Sequence, residues 1–130
     1  MLEFLKVAGI AIIIFFIIDI AWLSLIAKKL YAKELKNFLS PKTNWIVAII
    51  FYIVFILGLT FFVIEPALAG SGLIHAVFAG ALFGFVCYAT YDLTNLATIN
   101  KWPLKITIID LAWGSFVCSA TATLTYIIIF

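Results

Sequence analysis

Four long apolar stretches alternate with short polar segments along the chain. The apolar stretches cover residues 5–27, 45–64, 73–98 and 104–130. Each is long enough to cross a bilayer as an α-helix, which takes about 20 residues. The pattern therefore predicts an all-α fold, a bundle of four transmembrane helices in one integral membrane domain that takes up residues 1–130.

The composition agrees with a membrane protein. Hydrophobic residues make up 67% of the chain and charged residues 11%, and the mean hydropathy is +1.29. A soluble domain of 130 residues could not bury so much apolar surface, so we expect the lipid bilayer to be a partner. Lysines beside the apolar stretches account for the net charge of +2, and we expect no nucleic-acid partner.

The lysines also predict the orientation of the chain. They cluster between the first and second stretches and again between the third and fourth, whereas the link at residues 65–72 has none. Because lysine-bearing links stay in the cytoplasm, both termini are predicted to lie outside. The lysines in question are Lys28, Lys29, Lys33, Lys36 and Lys42 in the first link, and Lys101 and Lys105 in the last.

The first link has a helical pattern of its own. Its apolar and aromatic residues recur at helical spacing, and its lysines fall on another face. This predicts a short amphipathic helix on the cytoplasmic leaflet, ended by Ser40 and Pro41, with its lysines at the membrane surface. An ordinary basic loop is the alternative. The apolar face comprises Tyr31, Leu35, Phe38 and Leu39, and the membrane-surface residues are Lys29, Lys33 and Lys36.

Three acidic residues lie inside the apolar stretches: Asp19, Asp92 and Asp110. Their distances along the chain from the cytoplasmic lysines place all three roughly 8–14 Å inside the boundary, at ~1.5 Å per residue. Two of them belong to a repeated motif, "IIDIAWLSL" at 17–25 and "IIDLAWGSF" at 108–116, with six of nine positions identical. The two copies run antiparallel, so we expect the three carboxyl groups to form one layer.

Polar and aromatic residues accompany these acids at helical spacing and complete a candidate binding site. Four small or hydroxyl-bearing residues continue the polar side of the last stretch: Thr107, Gly114, Thr121 and Thr125. The alternative is structural, with the aspartates holding helices together and the tryptophans packing. The candidate site residues are Asp19, Trp22, Tyr88, Asp92, Asn95, Thr107, Asp110 and Trp113.

Electrostatics restrict the protonation of such a layer. Two carboxylates about 4 Å apart repel by roughly 4 kcal/mol at an effective dielectric constant of 20. We therefore predict that at least one of the three acids is protonated at pH 7, or that a cation balances them. The cation could be a metal ion, sodium or a lysine ammonium group. The sequence identifies no catalytic residue and no other cofactor.

Small residues and cysteines lie in the third and fourth stretches. Gly80 and Gly84, with Ala76 one turn earlier, form a strip that favours close helix packing. Cys87 and Cys118 both lie inside apolar stretches, where we expect buried free thiols, although a disulfide is conceivable.

Several segments together resemble a known family. They are "D-x-x-W" at 19–22, "SPKTNW" at 40–45, "ATYDLTNLAT" at 89–98, "WP" at 102–103 and "DLAWG" at 110–114. The chain resembles domain-of-unknown-function family 2177, small predicted membrane proteins of bacteria. The resemblance implies a multi-pass protein of the bacterial inner membrane and supplies no activity.

Three hypotheses for function follow. The first is binding or transport of a cation, proton or small solute at the acidic layer, in which case four helices would need to dimerise to enclose a path. The second is an intramembrane lipid-modifying enzyme or its accessory subunit, and we lean against an enzyme because no phosphate-binding motif is present. The third is a membrane assembly or binding protein whose aspartates are structural.

Overall fold

The computed structural model describes residues 1–36, 42 and 44–130, and these contain helices and no strands. The α-helices are α1 (Leu2–Trp22), α2 (Lys28–Glu34), α3 (Trp45–Leu59), α4 (Gly72–Thr98) and α5 (Leu104–Ile129). Three short π-helical segments adjoin them, at Leu23–Ala27, Thr60–Ile64 and Ala67–Ser71. The all-α prediction is confirmed for this part of the chain.

Three helical runs in the described residues are long and apolar enough to cross a membrane: Leu2–Glu34, Trp45–Thr98 and Leu104–Ile129. The second run has 54 residues, whereas a crossing takes about 20. It is interrupted by Gly70, whose φ is 137°. The protein is therefore a multi-pass membrane protein by length and composition of its helices.

The interrupted run folds back on itself. The rings of Phe55 in α3 and Phe83 in α4 contact each other edge to face, with centroids 5.6 Å apart. Gly70 and Gly72 both have positive φ, which glycine adopts without the steric penalty of a side chain. A run that reverses its direction in this way is long enough for two crossings of the membrane. The count of four spans and the outward position of both termini stay predictions.

Helices α4 and α5 pack at very close range. A Cβ atom on Gly84 would lie 2.0 Å from the carbonyl oxygen of Gly114, and one on Gly80 would lie 3.0 Å from the Cα of Ser119. The Ser119 hydroxyl also donates a hydrogen bond to the carbonyl of Val77, at 2.8 Å. The predicted small-residue strip is confirmed as a helix-packing surface.

The inward side of α5 also matches its prediction. Thr107, Thr121 and Thr125 are buried, as is Gly114. Of the two cysteines, both free thiols, Cys118 is buried in the core and Cys87 packs against it.

The first link differs from its prediction. Helix α2 is the direct continuation of α1 through Leu23–Ala27, rather than a separate helix. Ala27, the last residue of the π-helical segment, is buried, and the Tyr31 hydroxyl of α2 donates a hydrogen bond to Asp110 in α5. The side predicted to face the leaflet therefore turns toward the bundle at Tyr31. The chain has no glycine or proline between Gly9 and Glu34, so nothing breaks the helix.

Three lysines of this link are exposed on the surface of the protein, as the pattern predicted. Lys29, Lys33 and Lys36 are exposed, and their contact with a membrane surface stays a prediction. Phe38, Leu39 and the predicted end at Ser40 and Pro41 lie outside the described residues.

Candidate functional site

A cavity of about 420 Å³ lies where the helices converge. It brings together all three predicted aspartates, which come from α1, α4 and α5. Its walls also include residues of α2 and α3, so every α-helix contributes. The lining residues are Asp19, Trp22, Leu23, Tyr31, Phe51, Phe55, Cys87, Tyr88, Tyr91, Asp92, Asp110 and Trp113.

Asp92 is the most enclosed of the three acids. It is 0% exposed, and neither of its carboxyl oxygens receives a hydrogen bond from a donor in the described residues. Its side chain contacts that of Asp110. Two ionised carboxylates have no hydrogen atom to share, so these two groups can hydrogen-bond to each other only when one is protonated.

Asp110 has a partner from the first helical run. It accepts a hydrogen bond from the hydroxyl of Tyr31, which joins positions 79 residues apart in the chain. The residue pattern predicts a surface helix for Tyr31 and does not include it among the site residues. At ~100° per residue of an ideal α-helix, Tyr31 falls about 120° away from Asp19, so the spacing gave no signal of this contact.

The π-helical segment explains why Tyr31 reaches the site. Along an ideal α-helix, residues 12 positions apart such as Asp19 and Tyr31 drift to different sides. Leu23–Ala27 is wound with i→i+5 hydrogen bonds, so each of its residues advances less around the axis. This wider turn keeps Tyr31 on the side of the cavity.

Asp19 is held by a different tyrosine. It accepts a hydrogen bond from the Tyr52 hydroxyl of α3, at 3.0 Å, and is 8% exposed. Tyr52 was not among the predicted site residues. It lies in a continuous apolar stretch, where nothing in its spacing distinguished it from packing residues.

The two tryptophans of the repeated motif stack on each other. The rings of Trp22 and Trp113 are 4.4 Å apart between centroids and 11° from parallel. The indole N–H of Trp22 lies beside the Tyr31 hydroxyl and that of Trp113 beside the Asp19 carboxylate. Neither is aligned to hydrogen-bond within the described part of the chain. The antiparallel copies of "IIDxAW" therefore meet face to face.

The remaining predicted residues divide into two groups. Tyr88 lines the cavity and its ring fills the space that a Cβ on Gly114 would occupy, at 2.4 Å. Asn95 and Thr107 are not among the lining residues. The Thr107 hydroxyl instead accepts a hydrogen bond from the indole N–H of Trp102, at 3.1 Å.

The described charged residues that line the cavity are all acidic. Among the lining residues that the structure describes there are three aspartates and no lysine, arginine or histidine. Lys105 instead forms an ion pair with Glu34 at 3.9 Å. No group of three His, Cys, Asp or Glu side chains in the described residues is arranged to hold a metal ion. The site is therefore an acidic cavity in which none of the described lining residues is a cation that could neutralise it.

Comparison with known proteins bears on the family alone. Neither the curated proteins nor the solved structures gave a match. The family model described as "Predicted membrane protein (DUF2177)" matches residues 4–127, nearly the whole chain. The chain therefore belongs to the DUF2177 family of predicted membrane proteins, as its motifs indicated.

Proposed function

We propose that the protein binds a cation in this cavity, in competition with protons, as the first step of transport across the bacterial inner membrane. The proposal includes a bundle of four spans with both termini outside, which puts the acidic layer near the cytoplasmic face. The observation that carries it is the buried, unpartnered carboxyl group of Asp92 beside Asp110.

The energetics of that carboxyl group leave few options. A buried charge without a hydrogen-bonding or ionic partner costs several kcal/mol. Asp92 therefore requires either a proton or a cation, and the described lining provides no cationic side chain. In the proposal Asp92 and Asp110 share one proton when the cavity is empty, and an entering cation displaces it.

A structural role is the second candidate, and it is favoured for the other two acids. Asp19 and Asp110 accept hydrogen bonds from Tyr52 and Tyr31, each on another helix. Such bonds hold transmembrane helices together whether or not a ligand binds. The same reasoning does not extend to Asp92, which has no donor among the described residues.

Chemistry on a lipid phosphate is less well supported. Enzymes that act on phosphates place arginine, lysine or a metal ion at the phosphoryl group. The described lining has neither cationic residue. The lining therefore offers no side-chain contact for a phosphoryl group, which makes this the weaker candidate.

Calorimetry tests the proposal directly. Wild-type protein in a mild detergent is titrated with sodium, potassium, magnesium and benzyltrimethylammonium chlorides at pH 6 and pH 8, in two buffers of different ionisation enthalpy. At least one cation is expected to bind more tightly at pH 8 and to release up to one proton. The Asp92→Asn variant is expected to lose that binding.

Glu65→Gln is the matched control, because Glu65 is an acid that does not line the cavity. Its binding should equal that of wild type. Failure of every cation to bind, or equal binding by the Asp92→Asn variant, would contradict the proposal.

A further inference from the structure

Features of the cavity indicate which chemical class of cation it would bind. This inference rests on the proposed function. We infer that the ligand is an organic ammonium ion with apolar substituents, rather than a bare alkali or divalent metal ion. Three observations point to it: the volume of the cavity, its aromatic walls, and the number of carboxyl oxygens left free.

The volume suits an organic molecule. At about 420 Å³, the cavity lies within the range of roughly 300–1,000 Å³ that is typical of small-molecule sites. It would hold on the order of ten water molecules, each occupying about 30 Å³ in the liquid. A single metal ion would leave most of this space to water in a largely apolar enclosure.

The walls are mostly aromatic. Seven of the twelve lining residues that the structure describes are Trp, Tyr or Phe. Aromatic faces attract cations, and they do so best when the cation gives up little hydration on entry. Alkylated ammonium ions are weakly hydrated, whereas sodium and magnesium would have to shed strongly bound water. The stacked Trp22 and Trp113 at the cavity wall provide the largest of these ring systems.

The carboxyl groups are not arranged to hold a metal ion by themselves, since no group of three His, Cys, Asp or Glu side chains in the described residues could do so. Asp19 accepts from Tyr52 and Asp110 accepts from Tyr31, so each already has a donor. Only Asp92, of these three aspartates, has both oxygens unpartnered. Calcium takes six to eight oxygen ligands and magnesium near-octahedral coordination, whereas an ammonium ion needs one carboxylate beside it and apolar surface around its substituents.

The geometry therefore gives each part of the ligand a place. The ammonium group lies at the Asp92 carboxylate, which becomes ionised on binding, and the proton goes to solvent. The apolar substituents lie against the rings contributed by α1, α3 and α5. Phe51 and Phe55 of α3 line this part of the cavity with aromatic carbon alone.

The test compares one organic and two inorganic probes on the same protein in detergent. Benzyltrimethylammonium is titrated by calorimetry beside sodium and magnesium, with benzyl alcohol as the uncharged control for partition into detergent. We expect the ammonium ion to bind at least tenfold more tightly than either metal ion. Benzyl alcohol should show no saturable binding.

Ring-deleting variants separate this inference from the proposed function. Trp22→Leu is expected to weaken benzyltrimethylammonium binding about 2- to 30-fold, the range that a cation–π contact supports. Phe51→Leu is the second variant. It removes a ring from the cavity wall but keeps the stack of the two indoles, so it can be measured even if Trp22→Leu does not fold. Trp45→Leu is the control, because Trp45 is 69% exposed and does not line the cavity.

Each outcome is decisive. Tight ammonium binding that is lost in Asp92→Asn and weakened in the ring variants supports both proposals. Asp92-dependent binding of sodium or magnesium, with no ammonium binding or with no effect of the ring variants, overturns the inference on ligand class and leaves cation binding standing. Absence of binding by all three probes overturns the inference on ligand class, and absence of potassium binding as well removes both proposals.

Discussion

Replacement of Gly84 by alanine tests the helix packing on which the cavity depends. The new Cβ would lie 2.0 Å from the carbonyl oxygen of Gly114 and 2.9 Å from the Cβ of Cys118. The first of these neighbours is backbone, so no side-chain rotation can relieve the overlap. Helices α4 and α5 would have to separate by about 1 Å to restore even a short contact of ~3 Å.

The expected cost follows from two opposing effects. Overpacking that forces backbone shifts typically costs about 1–3 kcal/mol. Alanine in a helix interior regains roughly 0.5–1 kcal/mol relative to glycine. The separation also weakens the close approach of Gly80 to Ser119, which lies on the same strip. We therefore expect the Gly84→Ala variant to lose about 1–2 kcal/mol of unfolding free energy.

Two other glycines provide matched controls. A Cβ on Gly9 would have nothing within 4 Å, and one on Gly58 would meet only the end of the Phe83 ring, at 3.3 Å. The Gly9→Ala variant should be as stable as wild type or more stable by up to about 1 kcal/mol. Gly58→Ala should fall between Gly9→Ala and Gly84→Ala.

The assay is reversible unfolding in mixed micelles of mild detergent and dodecyl sulfate, followed by circular dichroism of the helices. Stability in the order Gly9→Ala, Gly58→Ala, Gly84→Ala, from highest to lowest, is the expected result. A Gly84→Ala protein as stable as the Gly9→Ala protein would show that α4 and α5 do not pack as closely as described.

Three further predictions concern single groups. Tyr52→Phe removes the donor to Asp19 and should lower unfolding free energy by about 1 kcal/mol in the same assay, while cation affinity by calorimetry stays within twofold. Lys101 has a φ of 64°, so Lys101→Gly should raise the unfolding free energy by about 1 kcal/mol; no gain would mean that the turn is not strained. Infrared difference spectra should show a protonated carboxyl band at pH 7 that is lost in Asp92→Asn. A spectrum with no such band at any pH above 6 would refute the shared proton.

The layer of acids illustrates how far spacing along a helix can be trusted. Asp19, Asp92 and Asp110 were placed at one depth by counting residues from the lysines, and the structure brings all three to one cavity. The count relies on the fixed rise per residue of a helix, and the common depth of the three acids in the membrane stays a prediction. The packing strip of Gly80 and Gly84 could be predicted for a similar reason, because small residues four positions apart lie on the same face of a helix.

The tyrosines that donate hydrogen bonds to Asp19 and Asp110 could not be predicted from spacing along one helix. Tyr31 reaches Asp110 because α1 continues into α2 through a π-helical turn. No residue pattern in the sequence predicted that turn. Tyr52 reaches Asp19 from another helix, and its position among apolar residues resembled ordinary packing. Contacts between helices depend on their rotation about their own axes, which periodicity in one helix does not specify.

The long apolar stretches of the sequence were enough to predict an all-helical membrane protein, because each can cross a bilayer as a helix with its backbone hydrogen bonds made within the segment. The spacing of its acidic residues also predicted that Asp19, Asp92 and Asp110 would lie together, although Asn95 and Thr107, predicted with them, do not line the cavity. How these carboxyl groups are paired depends on the packing of the helices. Asp19 and Asp110 acquired tyrosine donors from other helices, and Asp92 was left without one in the described residues, because hydrogen bonds between helices require distances of about 3 Å that only packing can set.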